Sequence, residues 1–385
     1  MAKIRMGMVG GGEGAFIGAV LRMAAALDGE IELVCGAFSA DPERSRRSGE
    51  ALYLSPARVY PDYQAMMRAE AALPVPERMQ FVAIVTPNHM HFPIAEAALH
   101  AGFHVMSDKP ATFSLGEALR LRDLVEETGL LYALSHTYTG YPLVKEARER
   151  VAAGDLGEIR KVVVEYPQGW LADKQEDTDN KQAAWRLDPR RAGISSCMGD
   201  IGVHAANLAE YVTGLQISEI CADLTAFVEG RELDDDGAIL LRFSGGARGV
   251  LHSSQICVGE ENALKIRVYG ERGGLEWNQQ EPNTLCLKWP DRPAQLLRTG
   301  GAYLGAGAAA STRVPMGHPE GYLEAFANLY VSFAGQIRAR EGGEAPDARA
   351  QDCPGIAEAV RGMTFIELAV AASASEVKWH RFEQH

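Results

Sequence analysis

The sequence predicts a two-domain α/β protein, with a doubly wound parallel sheet first and a mostly antiparallel sheet after it. Three observations carry this. Short apolar runs alternate with helical periodicity up to about residue 137, as they do when buried parallel strands are linked by helices. Beyond that point strands dominate and are joined by tight glycine turns. At 385 residues the chain is also too long for one ordinary core. We therefore place the domains at 1–137 and 138–385.

Ile4–Val9 is a short apolar strand, followed by glycines and then by Phe16–Leu27 at helical spacing. Ile31–Phe38 reads as the second strand. Asp41-Pro42-Glu43 then opens a helix, because Asp accepts the first amides and Pro suits the first helical position. Phe81–Val85 is a strand, Pro93–Ala101 a helix, and Phe103–Met106 a strand. Leu115–Thr128 is a helix closed by Gly129, and Leu131–Ser135 is the fifth strand.

In the second half Pro142–Ala153 reads as a helix ended by Gly154. Strands are expected at Ile159–Tyr166, Ile217–Phe227, Ala238–Phe243, Gly249–Gln255, Leu264–Tyr269, Gly274–Trp277 and Leu285–Lys288. Turns such as Ser244-Gly245-Gly246 and Glu271-Arg272-Gly273 make hairpins, hence antiparallel pairing. One helix, Asp200–Thr213, interrupts the strands. Gly300–Ala310 reads as a loop, and helices near Gly321–Arg340 and Pro354–Ala372 follow.

Composition narrows the class. The chain is 46% hydrophobic and 23% charged, in the globular range. A net charge of -13 disfavours nucleic acid and anionic membranes as partners. Six scattered cysteines form no C-x-x-C pair, which points to reduced thiols, no metal site and a cytoplasmic setting. The apolar run up to Leu27 is broken by glycines and Glu13, so it is not read as a signal peptide. No stretch of 18 apolar residues exists to span a membrane.

The chemistry begins at the first strand–helix junction. Gly10-x-Gly12-x-x-Ala15 satisfies the dinucleotide fingerprint. A side chain at the second glycine would block the pyrophosphate, and the helix N-terminus offers unpaired amides. Glu13, Gly14 and Ile17 belong to the same cradle. Where the second strand often ends in an acid for the ribose of NAD, this chain has Ser39, with Arg44, Arg46 and Arg47 close behind. A hydroxyl and an arginine suit the 2′-phosphate of NADP; a solvated basic helix face is the competing reading. The cofactor is therefore NAD or NADP.

At Thr86-Pro87-Asn88-His89-Met90-His91, Asp108-Lys109-Pro110 and Gly199-Asp200-Ile201-Gly202-Val203-His204 the chain resembles the glucose–fructose oxidoreductase / inositol dehydrogenase / MocA family. The blocks keep the family's order and spacing along nearly the whole chain. The resemblance implies a Rossmann domain followed by an α/β domain with an open, mostly antiparallel sheet. It also implies a nicotinamide ring at the cleft between them and a sheet face that packs in homo-oligomers (dimers or tetramers). It further implies action on sugars, cyclitols or related polyols. Two features depart from the pattern. Asp108 replaces the family's Glu, and the glycine loop is about three residues longer, so Gly18 competes with Ala15 for the third glycine position.

Hydride transfer from an alcohol needs a group that accepts the hydroxyl proton. Lys109 follows the fourth strand at the carboxyl edge, where open parallel sheets bind ligands. Asp200 and His204, four positions apart, project from one helix face, and a carboxylate beside an imidazole orients it and raises its proton affinity. An N-cap aspartate beside a core histidine is the structural alternative. The resemblance puts these residues at the substrate, so His204 is the leading proton acceptor. Asp200 is its partner or a hydroxyl ligand, and Lys109 polarises or deprotonates the reacting hydroxyl.

Thr86, Asn88 and His91 are expected around the cofactor's ribose or nicotinamide, with Asp108 and Lys109. Tyr166, Gln168, Trp185 and Arg186 are candidate contacts to a polyhydroxy substrate, since aromatic faces with amide and guanidinium donors suit such rings. Asp173–Lys181 reads as a mobile loop and a candidate lid. The leading function is a sugar or cyclitol dehydrogenase. The rivals are a glycosidase that oxidises its sugar transiently and a catalytically silent NAD(P)-binding regulator.

Overall fold

The computed structural model describes residues 2–383, which form two compact units. The first contains the chain up to Ser135 together with Phe326–Val360; the second contains His136–Ala325 and the chain from Arg361 onward. The first crossing lies within two residues of the expected position 137. The segment Phe326–Val360, expected in the second domain, belongs to the first unit. Its apolar face explains this, because Tyr330 and Phe333 pack on Phe81 with ring centroids at 6.4 and 5.4 Å. Helical periodicity shows that a face must be buried, and does not show which sheet buries it.

In the first unit the chain runs through β1 (Ile4–Gly10), α1 (Phe16–Leu27), β2 (Ile31–Ala37), α2 (Pro42–Ala51), α3 (Tyr63–Ala71), β3 (Phe81–Val85), α4 (His91–His100), β4 (His104–Ser107), α5 (Leu115–Thr128) and β5 (Tyr132–Leu134). The five strands lie in the order β2-β1-β3-β4-β5 and all pair in parallel. All five residues of β3 are buried, which is why its sequence shows no alternation. The strand order reverses beside β1, so its carboxyl end is the topological switch point where ligands bind in such sheets.

Caps fix the helix starts. Asp41 Oδ1 accepts from the Glu43 and Arg44 amides at 3.0 and 3.3 Å, as its place before Pro42 predicts. Ser114 accepts from the Glu117 amide, and Gly129 ends α5 at φ +61°. The unpredicted α3 is capped by Asp62 and tied down by Glu70, whose buried carboxylate takes bonds from Arg58, Tyr60 and the Met79 amide.

The second unit continues with α6 (Pro142–Ala152), β6 (Ile159–Pro167), α7 (Lys181–Arg186), α8 (Pro189–Ala192), α9 (Val203–Thr213), β7 (Ile217–Thr225), β8 (Asp236–Phe243), β9 (Arg248–Ser254), β10 (Lys265–Gly270), β11 (Gly274–Asn278), β12 (Thr284–Lys288), β13 (Gln295–Arg298) and α10 (Ala306–Ala310). Then come α11 (Tyr322–Gly342), α12 (Ala348–Gln351), α13 (Ile356–Ser373) and β14 (His380–Arg381). Helices α11 and α13 each run from one unit's residues into the other's.

Nine strands form one sheet in the order β13-β12-β11-β10-β6-β9-β8-β7-β14. Every neighbouring pair is antiparallel except β6 with β9. In β8 every second residue is buried, which means one face is covered. One expectation changes. Gly300–Ala310 carries the short α10, because its alanines favour helix over loop. In the stretch after Ala172, Arg231 reaches Glu176 at 3.1 Å and the Asp173 carbonyl at 3.0 Å. Arg231 is buried, and its other partner, Asp235 at 3.1 Å, is fully buried. No helix among the described residues is long and apolar enough to cross a membrane.

Candidate active site

In the first unit the fingerprint glycines are needed for space as well as for conformation. Gly10, Gly11 and Gly14 have φ of +83°, +68° and +80°, values that favour glycine. A Cβ at Gly10 would lie 2.6 Å from the Val85 carbonyl oxygen; one at Gly12 would lie 2.7 Å from the Phe38 carbonyl oxygen. The extra loop length is resolved by Gly18. A Cβ on Gly11 would come within 2.8 Å of the Gly18 Cα, so α1 packs directly on the turn there. Ala15 instead occupies the N-cap of α1, with no side-chain cap bond to the first-turn amides. Close helix packing is the task of the third fingerprint glycine, and Gly18 performs it. Backbone amides, missing side chains and an uncapped helix start fit a dinucleotide pyrophosphate.

Around this cradle, Glu13 donates its amide to Ser48 Oγ at 3.0 Å, and its carboxylate pairs with Arg47 at 3.2 Å. Ile17, in the first turn of α1, is half-buried. Ser39 Oγ accepts from the Asp41 amide at 3.1 Å. Arg46 is held by Glu43 and Glu50, whereas Arg44 lies half-buried on the same helix.

The carboxyl edges of β3 and β4 come together. Thr86 follows β3 with its buried Oγ1 unpartnered among the described residues, and Asn88 is buried two positions on. His91, expected to flank the cofactor, turns its ring toward the main chain. Its ring is buried, with Nδ1 2.7 Å from the Pro110 carbonyl oxygen and Nε2 2.8 Å from that of Thr86. A neutral imidazole has one N–H to donate, so one of these two contacts is its hydrogen bond, and the ring sits between the loop after β4 and the end of β3. Burial pulls its pKa below the ordinary imidazole value, against the opposing pull of Asp108 and the two carbonyls. Asp108, one methylene shorter than the expected Glu, turns back onto its own loop. Its Oδ1 accepts from the Lys109 amide at 2.9 Å and from Ser135 Oγ at 2.8 Å. Lys109 precedes a cis peptide to Pro110, donates its own amide to Asp108, and is followed by the Pro110 carbonyl that meets His91.

In the second unit Asp200 lies just before α9 and His204 in its first turn. Met198–Gly202 forms a π-helical turn leading into α9, and Asp200 is inside it rather than at an N-cap. Capping falls to Asp234, just before β8, which accepts from the Ser196 and Met198 amides and Ser195 Oγ at 3.0, 2.9 and 3.0 Å. Burial pushes the Asp234 carboxyl up, while these bonds hold it down. The Asp200 carboxylate is gripped by Gln255 Nε2 at 2.9 Å and Arg186 Nε at 3.3 Å. Arg186 stacks on Trp185 at 4.3 Å and is bonded to Gln182.

His204 is buried, and its Nδ1 lies 3.3 Å from Nδ1 of His136. Tyr138 and Tyr166 surround it, with ring centroids at 4.9 and 6.5 Å. The two phenols are bonded to each other, and Tyr166 donates to Asn262 Oδ1 at 2.8 Å. Gln168 Nε2 donates to the same oxygen at 2.7 Å, and Gln168 Oε1 accepts from Trp170 Nε1 at 3.0 Å. Burial raises the pKa of both phenols, so both stay neutral. The expected Tyr166, Gln168, Trp185 and Arg186 therefore gather around Asp200 and His204. Sequence reading missed His136, Asn262, Gln255 and Asp234, which lie far from their partners along the chain and match no motif. Among the described residues no group of three or more His, Cys, Asp or Glu could hold a metal.

Known proteins resemble this chain in both halves. Residues 4–136 match the model of an oxidoreductase family with an NAD-binding Rossmann fold, and residues 144–276 match the GFO/IDH/MocA C-terminal domain. An uncharacterized oxidoreductase, YfiI, of Bacillus subtilis (strain 168) is 31% identical over 99% of this chain and 97% of its own. An inositol dehydrogenase homolog from Azotobacter vinelandii, solved with NAD+, is 37% identical with a TM-score of 0.93, covering 99% of this chain and 97% of that one. The same homolog with NADH and myo-inositol gives 36% identity and a TM-score of 0.91, over 99% and 98% of the two chains. On the glycine cradle, the paired Rossmann and C-terminal matches and this full-length likeness, the chain belongs to the GFO/IDH/MocA family of NAD(P)-binding oxidoreductases.

Proposed function

We propose that this oxidoreductase is a dehydrogenase of a sugar or an inositol-like cyclitol, with Lys109, Asp200 and His204 handling the reacting hydroxyl. The observation that carries the reading is His204, a buried imidazole bonded inside the protein through Nδ1, one turn after a carboxylate gripped by Gln255 and Arg186. When bound, the nicotinamide supplies the hydride acceptor or donor. His204 takes the hydroxyl proton, Lys109 polarises the oxygen, and Asp200 orients a substrate hydroxyl. The likeness to a homolog solved with myo-inositol supports the substrate class.

NAD is the favoured cofactor in this proposal. Of the three arginines available to a 2′-phosphate, Arg46 is held by Glu43 and Glu50, and Arg47 by Glu13. A homo-oligomer, as the family resemblance implies, is part of the proposal, and sedimentation would test it. Six free thiols suit a reducing, cytoplasmic setting.

The test is cofactor reduction across inositols, hexoses and glycosides with NAD and NADP. A polyol that accumulates reduced cofactor supports the proposal. Aglycone release without accumulation would replace it with transient-oxidation glycosidase chemistry, and no turnover of any kind would overturn it. Lys109→Ala and His204→Ala should each retain cofactor binding and lose about 10²–10⁴-fold in kcat. Normal turnover in either removes that residue from the mechanism.

A further inference from the structure

His136 opens the second unit, and its side chain is buried. It meets His204 edge to face, with ring centroids 5.2 Å apart and planes at 77°. The two Nδ1 atoms lie 3.3 Å apart. A neutral imidazole carries one N–H, so a bond between two Nδ1 atoms needs one donor and one acceptor. The two rings must then hold opposite tautomers. Whatever sets the proton at this junction also sets which nitrogen of His204 is basic.

We propose that His136 is a positioning residue for His204: it accepts the Nδ1–H of His204 and so makes Nε2 the nitrogen that takes the substrate proton. The inference rests on reading His204 as the proton acceptor. In the oxidative direction the substrate O–H bond breaks and an Nε2–H bond forms on His204, while the carbon's hydride passes to the oxidised nicotinamide. The Nδ1–H stays on His204 and becomes a charge-assisted donor to His136, which spreads the new positive charge. A second proton on the pair is opposed by the first charge alongside it.

Several groups bound this effect. Asp200 leads into the His204 helix with its partner Arg186, Tyr138 follows His136, and Tyr166 projects from β6. On α6, which packs against α9, Glu146 is bonded instead to Arg150 and the Gly305 amide. Asp200 is thus the carboxylate of this set that favours the charged pair, and the two phenols stay neutral.

The test compares His136→Asn, which keeps an accepting oxygen, with His136→Leu, which does not. The leucine variant should lose about 10–100-fold in kcat, with KM for cofactor and polyol changing less than about threefold. Its acid limb of kcat/KM should move to lower pH, because the His204 imidazolium has lost its acceptor. The asparagine variant should recover most of both. Equal losses in the two variants, or an unmoved pH limb in the leucine variant, would overturn the proposal. Nitrogen NMR of ¹⁵N-histidine wild-type protein provides a readout independent of activity and of variant folding. It should show His204 protonated at Nδ1 when neutral, and a proton on Nε2 instead overturns the assignment. Undiminished turnover in His204→Ala would instead sink the catalytic reading, leaving the nitrogen spectrum to judge the pair.

Discussion

The Glu13–Arg47 ion pair is exposed on both sides, with 60% and 48% of the two side chains accessible. Such pairs contribute at most about 1 kcal/mol, yet this one occupies an arginine that a 2′-phosphate would want. Glu13→Gln should free Arg47 and raise kcat/KM for NADP up to about fivefold with little change for NAD. Steady-state kinetics with both cofactors decides it; unchanged NADP kinetics would mean Arg47 lies out of reach. His104 gives a second prediction. Its Nδ1 accepts the Leu131 amide at 3.0 Å, so the neutral ring carries its proton on Nε2. Burial and then the nearby Arg340 charge push its pKa down to about 4. The unfolded chain binds that proton from about pH 6.5 downward. The stabilising effect is therefore complete above about pH 6.5 and is lost as pH falls toward 4, up to about 3 kcal/mol. Urea unfolding of wild type and His104→Asn at pH 7.5 and 4.5 should show wild type losing the larger share of its stability.

Elements in this molecule are positioned by a few close contacts. Helix α1 meets the glycine turn at Gly18, where any side chain would overlap the Gly11 backbone. Ala is intrinsically the better helix former by about 1 kcal/mol, so Gly18→Ala sets propensity against packing. The overlap should win, weakening cofactor binding by about tenfold or more, while Ala15→Gly should leave it within about twofold. Fluorescence titration with NAD measures both, and the reverse order would return the third glycine role to position 15. In the second unit one short segment does comparable work. Asp234 caps the turn that carries Asp200, and the neighbouring Asp235 carbonyl accepts from the Gln255 amide. The strand that starts at Asp236 thus sets both the Asp200 carboxylate and the amide that grips it.

At the level of the whole molecule, each compact unit is discontinuous in sequence. The first unit is incomplete without Phe326–Val360, since Phe81 packs on Tyr330 and Phe333, all three fully buried. A fragment ending at residue 137 should therefore lack a cooperative thermal transition, and fusing 326–360 to it should restore one. Calorimetry distinguishes the outcomes, and a cooperative transition in the short fragment would show that the returning helix is dispensable.

Local regularities made much of this fold readable in advance. Strand runs joined by tight glycine turns located β6 to β12, buried apolar runs located β1 to β5, and the Asp41 cap opened α2. The blocks around Gly10, Lys109 and His204 marked the family as well. Features without such regularity went unread: β13 is nearly all exposed and β14 has two residues, so neither shows a pattern. The sequence by itself determined which stretches become strand or helix, that a glycine turn awaits a dinucleotide, and which family pattern the chain carries. Tertiary structure alone decided that Gly18 rather than Ala15 packs on that turn, that the His91 ring faces the main chain, and that His136 meets His204 from 68 positions away. Periodicity and capping act over one or two turns of chain. The choice of partner for a buried imidazole or a closely packed glycine depends on where distant segments return, and no local pattern encodes that.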